Sequence, residues 1–366
     1  MGLQLQKRVI AIVLMMALLL PLTLQVSAQE ITAPPTETIL PTETTPETTP
    51  PTEPVPETVP ATEAPTEPEP TVSVIHSADP GSAVYQICDS LAQTMEARHI
   101  VVYDTNTDRI LYSKTVGNGK LFPASITKLF STYVALQFLD PNTVITAGDE
   151  LDLVHEGSSL AFIPMGGQLR VKTLVEGMML PSGNDAAMVL AAAAGRVIAQ
   201  DENMAAADAV QEFVDEMNRQ AAALGFEMSH FSNPDGWHTG SHYTCLNDLA
   251  RISKLALEND TIRRYMRLSK DELNFVSGHH VAWENTNLLL NRDEGYYRSD
   301  AIGMKTGYTR PAGYCLMSAF TFEEGEIVIG LFGYTAKNSR FWDAIRLVKA
   351  VKEQLRLEQL SDESVG

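Results

Sequence analysis

Cysteine is scarce in this chain: three in 366 residues, Cys88, Cys245 and Cys315, with no C-x-x-C pair. That excludes a disulfide-stapled scaffold, a zinc ribbon and a thiol redox motif, and in an exported chain an odd count leaves at least one thiol free. Positive charge is also in short supply, with 27 basic residues against 46 acidic ones and a net charge of −19. A broad basic face for nucleic acid is therefore not expected. Beyond Leu20 no run is long and apolar enough for a transmembrane helix. No fixed period of roughly 20–50 residues recurs, which argues against a repeat architecture. What remains is a composition 44% hydrophobic and 20% charged, that of a globular protein with one large domain or two average ones.

The amino terminus has a different character. Lys7 and Arg8 precede an apolar run from Val9 to Leu20, then Pro21 and small residues at Val26-Ser27-Ala28. This order predicts a secretory signal over residues 1–28, cut after Ala28; the run is short for a bilayer-spanning helix, and no cysteine follows it for lipidation. The expected location is outside the membrane, on the extracellular face of the envelope or secreted, with a membrane contact only if the signal segment is retained. From Gln29 the chain turns to Pro, Thr and Glu, as in Pro41-Thr42-Glu43-Thr44-Thr45-Pro46-Glu47. Residues 29–76 are expected to be a solvated, polyproline-like linker, because such a composition cannot bury a core. After Pro70 there remain 25 basic and 37 acidic residues, a charge of −12.

Residues 77–360 are read as one catalytic unit, with 361–366 as a tail. Ala83 to Ala97 predicts a helix, and His99 to Asp104 and Arg109 to Ser113 predict two strands. Helical periodicity follows at Ile126–Leu139, Leu174–Met179, Ala186–Ile198, Ala205–Leu224 and Leu246–Leu257. Tyr314–Phe322 and Glu326–Tyr334 predict a hairpin, and a last helix runs from about Phe341 to Leu357. Strands at both ends around a helical middle imply an α/β (α+β) fold, one antiparallel sheet flanked by helices, with a mostly helical subregion.

Three short patterns carry chemistry. Ser125-Ile126-Thr127-Lys128 places a hydroxyl and an amine three residues apart at a helix start, on one face. A serine needs a base to take its proton, and a lysine serves if burial or a nearby cation makes its neutral form accessible. Free N–H groups at the helix start suit a developing oxyanion. Ser182-Gly183-Asn184 offers a proton relay and a carbonyl-binding amide before an alanine-rich helix. Lys305-Thr306-Gly307 offers a cation, a hydroxyl and a glycine along a strand edge, suited to a carboxylate. The first two patterns arise about once each by chance in such a chain, the third about 0.06 times. Each occurs once, in the order S-x-x-K, S-x-N, K-T-G.

With Phe122-Pro123-Ala124 before the first, Asn233-Pro234-Asp235-Gly236 between the second and third, and Gly303-Met304 and Tyr308-Thr309 around the last, the chain resembles the low-molecular-mass penicillin-binding proteins that act as serine-type D-alanyl-D-alanine carboxypeptidases. The likeness runs from about Asp79 to Leu357. It implies a β-lactamase/transpeptidase-like fold, removal of the terminal D-alanine from peptidoglycan stem pentapeptides through an acyl-serine, and acylation by β-lactams as covalent inhibitors. It implies Ser125 as nucleophile, Lys128 as general base, and Ser182 and Asn184 as relay and substrate-binding pair. Lys305, Thr306 and Arg340 would hold the terminal carboxylate, and the N–H groups of Ser125 and Tyr308 the oxyanion. No cofactor and no metal are expected. Two departures stand out: Gly183 replaces the aspartate of class A β-lactamases, whose glutamate loop is also absent, which favours a peptidase over a lactamase. The sequence also stops at Gly366, where several family members continue into a β-rich domain and an amphipathic helix, leaving the amino-terminal spacer as the candidate substitute. The alternatives are a penicillin-binding sensor with little turnover, or a β-lactamase.

Other constellations are weaker. His238 and His242 have the i, i+4 spacing of a zinc pair, but no glutamate follows His238 and no third ligand is evident. No G-x-S-x-G elbow supports a Ser-His-Asp triad. Cys245 and Cys315 read as buried, inert thiols, and His279-His280 as loop residues.

Overall fold

The computed structural model describes residues 75–323 and 325–365; the expected signal and all but the last two residues of the expected linker lie outside them. His76 already bridges to Arg109. Helix α1 (Ala83–Ala92) is capped by Ser82, whose hydroxyl accepts from the Tyr85 N–H at 3.2 Å. Strands β1 (His99–Asp104) and β2 (Arg109–Lys114) follow, then a 3-10 turn at Ala124–Ile126 leading into α2 (Thr127–Ala135). Two short strands, β3 (Val144–Thr146) and β4 (Gln168–Arg170), pair at the base of a long loop. The helical region continues with α3 (Val171–Met179), α4 (Asn184–Ala199), α5 (Ala206–Ala223), α6 (Leu246–Glu258) and α7 (Asp260–Met266). A hairpin of β5 (Lys270–Asn274) and β6 (His280–Glu284) precedes β7 (Ala301–Thr309), β8 (Gly313–Phe322) and β9 (Gly325–Tyr334), and α8 (Ser339–Val365) closes the chain.

The main sheet is antiparallel in the order β2-β1-β9-β8-β7, so β7 is an edge. Side chains alternate across it. Ile100 and Val102 of β1 join a core with α1 and α8, through Val84, Cys88, Phe341 and Leu347, while Val101 and Tyr103 face the helical region and pack with Leu129, Phe130 and Met178. Both faces are covered, which is why β1 is buried at every position and why β8 and β9 read as continuous apolar runs.

The expected architecture is present, with differences that have local causes. Helix α1 stops at Ala92 rather than Ala97, its last turn closed by Thr94 Oγ1 donating to the Leu91 carbonyl at 2.8 Å. The terminal helix starts at Ser339 and extends to Val365, so residues 361–365, expected as a tail, continue it. Strand β7 carries Gly303, Lys305, Thr306 and Gly307 and so has no apolar alternation; it is a strand because β8 pairs with it, Lys305 against Met317 and Thr306 against Leu316. The β5–β6 hairpin is hidden behind Lys270-Asp271-Glu272, its core face consisting only of Leu273, Val281 and Trp283. His280 opens β6 rather than lying in a loop. No helix among the described residues is long and apolar enough to cross a membrane.

Candidate active site

Ser125 sits in the 3-10 turn at the entrance to α2, after Ala124, which has φ of +49°. An alanine in that region is uncommon and costs roughly 1–2 kcal/mol, so the surroundings must impose it. Two close approaches do so. Gly236 has φ of +85°, and a Cβ there would lie 1.9 Å from the Ala124 carbonyl oxygen. Gly307, on the edge of β7, would place a Cβ 3.0 Å from Ala124 Cβ and 3.1 Å from both the Pro123 oxygen and the Ser125 nitrogen. The strand edge thus lies against the peptide that carries the serine. Gly307→Ala should therefore push β7 away by a few tenths of an ångström. We expect kcat/KM to fall about 10- to 100-fold through misplacement, with little change in Tm. Wild-type turnover in this variant would contradict the close contact.

Lys128, one turn on from Ser125, is fully buried. Its Nζ reaches Ser125 Oγ at 3.0 Å, Asn184 Oδ1 at 2.7 Å and the Asp235 carbonyl at 2.8 Å. A neutral amine has two N–H groups and one lone pair. With the N–H groups given to Asn184 and Asp235, the lone pair is directed at the serine hydroxyl. Burial lowers the Lys128 pKa to about 8, against the pull of the Asp235 and Asp185 carboxylates, which raise it. About a tenth of the amine is then neutral at pH 7. Asp235→Asn keeps the Oδ1 that accepts from the Trp237 N–H at 2.9 Å and removes only the charge. The Lys128 pKa should fall further, moving the acid limb of the kcat/KM profile to lower pH. A limb that stays in place or moves upward would contradict the assignment of Lys128 to that limb.

Ser182 and Asn184 enter from the turn between α3 and α4. Ser182 has φ of +66°; Asn184, besides accepting from Lys128, donates through Nδ2 to Ser158 Oγ at 2.9 Å. The turn is held by the Gly183 N–H on the Gly177 carbonyl and by the Asn184 N–H on the Ser159 carbonyl. Thr286 joins this turn to the third motif: its N–H donates to the Leu180 carbonyl, and its hydroxyl pairs with that of Thr306 at 2.6 Å.

On the β7 side the structure separates Lys305 from its neighbours. The Lys305 side chain is fully buried, and Nζ donates to the Thr306 carbonyl at 3.0 Å. Burial, then the Lys128 and Arg340 cations, push its pKa well below the usual lysine value. The residues facing the cleft here are Thr306, Tyr308 and Arg340. Tyr308 stacks on Tyr314 with centroids 4.3 Å apart. The Arg340 guanidinium lies over Tyr314 and Phe341, donates from Nη1 to the Lys337 carbonyl, and keeps a buried Nε with no partner. Burial lowers its pKa to about 10, so it remains a cation at any working pH.

All eight expected site residues therefore lie in or directly beneath one cleft of about 710 Å³, with Lys128 and Lys305 beneath it. Sequence reading left Asp235, Thr286, Ser158 and Trp237 without roles. Only Asp235 stood in a quoted motif, and a backbone carbonyl acceptor has no side-chain signature to find. The histidine pair is otherwise engaged: His242 Nε2 meets Thr127 Oγ1 at 2.8 Å, its Nδ1 accepts from the Ser232 N–H, and His238 packs edge-on against Phe122. Burial, then the neighbouring His230, His238 and Lys128 charges, hold the His242 pKa down at about 3. Among the described residues no group of three or more His, Cys, Asp or Glu is arranged to hold a metal. The three cysteines are free and buried, their thiols pushed up to about 12, chiefly by burial.

A family model described as D-alanyl-D-alanine carboxypeptidase, a peptidase S11 family, matches residues 87–332. The chain is 29% identical over 248 residues to the D-alanyl-D-alanine carboxypeptidase DacF of Bacillus subtilis, covering 67% of this chain and 59% of that protein. It is 31% identical over 255 residues to a D-alanyl-D-alanine carboxypeptidase of a Streptomyces species, covering 67% and 83%. The crystal structure of a Streptomyces DD-transpeptidase superposes with a TM-score of 0.62 at 30% identity, over 70% of this chain and 97% of that one.

Proposed function

This chain belongs to the D-alanyl-D-alanine carboxypeptidase family of serine hydrolases, and from that premise we propose that it removes the terminal D-alanine of peptidoglycan stem pentapeptides. The observation that carries the reading is the Lys128 amine, buried, with a depressed pKa, and 3.0 Å from Ser125 Oγ. In acylation Lys128 takes the Ser125 proton, and Oγ attacks the carbonyl carbon of the penultimate D-alanine. The N–H groups of Ser125 and Tyr308 stabilise the oxyanion. The C–N bond then breaks, and the proton passes from the Lys128 ammonium, relayed by Ser182, to the leaving amine. In deacylation Lys128 takes a proton from water, hydroxide attacks the ester, and Ser125 leaves reprotonated, releasing the shortened stem.

Asn184 is assigned to the substrate's amide, and Thr306 and Arg340 to its terminal carboxylate. The free, buried Nε of Arg340 supports the latter. Lys305, enclosed beneath the strand, disfavours protonation of Lys128 whenever it is itself protonated, as Lys128 does in return. β-Lactams would acylate the same serine. The site of action is the outer face of the envelope, reached through the amino-terminal signal and spacer. Incubation with a stem pentapeptide should yield one free D-alanine per tetrapeptide formed. Penicillin acylation with no D-alanine release would instead identify a sensor, and rapid penicillin turnover a lactamase.

A further inference from the structure

Behind the nucleophile runs a chain of buried hydrogen bonds that takes no part in the proton transfers of Ser125 and Lys128. It starts in the loop between α5 and α6, where the Ser232 N–H donates to His242 Nδ1 at 3.1 Å. That nitrogen therefore carries a lone pair, and the ring proton sits on Nε2. His242 Nε2 donates in turn to Thr127 Oγ1 at 2.8 Å, and the single hydroxyl proton of Thr127 goes to the Ala124 carbonyl at 2.9 Å. Both side chains are buried. The His242 pKa, held down at about 3 chiefly by burial, keeps the ring neutral at any working pH, so the direction of the chain does not reverse.

The surroundings hold the chain at both ends. Thr244, two residues after His242, pairs with Leu121 in both directions, at 2.9 and 3.0 Å, and Phe231 packs edge-on against the imidazole with centroids 5.7 Å apart. At the far end the Ala124 oxygen accepts from the Thr127 N–H as well as from its hydroxyl. Two donors on one oxygen fix the plane of the Ala124–Ser125 peptide, which helps to explain how Ala124 keeps a φ of +49°. Across a trans peptide the carbonyl and the following N–H point in opposite directions. Holding the Ala124 oxygen toward Thr127 therefore aims the Ser125 N–H away from it. That nitrogen lies between two glycines, where a Cβ on Gly236 would approach it to 2.9 Å and one on Gly307 to 3.1 Å. Donation to the carbonyl also polarises the peptide, which strengthens its N–H as a donor.

Resting on the assignment of the Ser125 N–H to the oxyanion, we propose that His242 is a positioning residue for the reaction, acting through Thr127 to aim and polarise that N–H from behind. His242 does not line the cleft. Its contribution is made where negative charge develops on the substrate oxygen, in acylation and in deacylation alike, so its loss appears in kcat whichever half-reaction is slower.

The test begins with Thr127→Val, which keeps the shape of the side chain and removes its hydroxyl, and Thr127→Ser, which restores the hydroxyl. Thr127→Val should lower kcat and kcat/KM for D-alanine release together, by about 10- to 100-fold, and slow benzylpenicillin acylation by a similar factor. Thr127→Ser should recover to within about threefold of wild type, and the acid limb set by Lys128 should stay in place in both variants. His242→Asn keeps an acceptor for the Ser232 N–H and loses the donor to Thr127. It should match Thr127→Val, and in the Thr127→Val background it should cause no further loss. Acetamidomethylboronic acid, which forms a tetrahedral adduct on the serine with an oxygen at the oxyanion position, should show a Ki that rises across the variants as kcat/KM falls. Wild-type rates in Thr127→Val, additive losses in the double variant, an unchanged boronate Ki or a displaced acid limb would each overturn the proposal. Should His242→Asn fail to fold, the Thr127 pair and the boronate decide alone. Penicillin acylation tests the chain of hydrogen bonds whether or not the wild type releases D-alanine, so a failure of the carboxypeptidase reading shows separately.

Discussion

Ser125→Ala is expected to bring D-alanine release to background, a loss of roughly 10⁴-fold or more in kcat/KM, and to abolish labelling by a fluorescent penicillin. Ser158, Ser159 and Ser182 also line the cleft, so the prediction is a choice among hydroxyls. It rests on the position of the amine, whose Nζ has Ser125 Oγ at 3.0 Å and its other two partners on Asn184 and Asp235. None of the other serines has that base. Because the substitution removes one oxygen from a half-buried side chain, the fold should be unaffected and Tm should stay within a few degrees of wild type. Undiminished labelling of a folded Ser125→Ala protein would remove this residue from the nucleophile's role.

Lys128→Arg is expected to be nearly as damaging, at about 10²- to 10⁴-fold in acylation rate, the span usual for losing a general base. A guanidinium does not give up its proton near neutral pH, and its planar fork does not fit three partners disposed around one nitrogen. In the wild type the rate should rise with pH as the Lys128 ammonium is emptied and level off above about 8, where the amine is neutral. The arginine variant should lack that limb. Near-normal acylation by Lys128→Arg, or a wild-type rate that is flat from pH 6 to 9, would contradict the general-base assignment.

How far the sequence reached depends on whether a feature leaves a side-chain signal. The strands of the buried sheet centre did: β1 and the β8–β9 hairpin are apolar on both faces because helices cover both. The opening of α2, with Ser125 and Lys128 three residues apart, was legible from helical spacing alone. Strand β7 was not, because its residues serve the site and its strandedness comes from β8, a tertiary effect that local propensity does not report. The same holds for the Asp235 carbonyl beneath Lys128 and for Thr286 against Thr306, contacts made across 107 and 20 residues. Lys305 was found, but its enclosure beneath the strand depends on the packing of Arg340 and the aromatic residues around it. Phe162 gave no signal at all. Its left-handed φ, in a loop of mixed composition, is held by Asp185, 23 positions further along the chain.

The central claim, an acyl-enzyme formed on Ser125 with the Lys128 amine as its base, is tested most directly by mapping the adduct. The protein is treated with benzylpenicillin, digested, and the modified peptide sequenced by tandem mass spectrometry. The account predicts one adduct per chain, on Ser125 in the segment Phe122 to Lys128, and its absence when the protein is first saturated with a slowly deacylating D-alanyl-D-alanine peptide. An adduct on Ser158, Ser159 or Ser182, or a chain that stays unmodified, would contradict it.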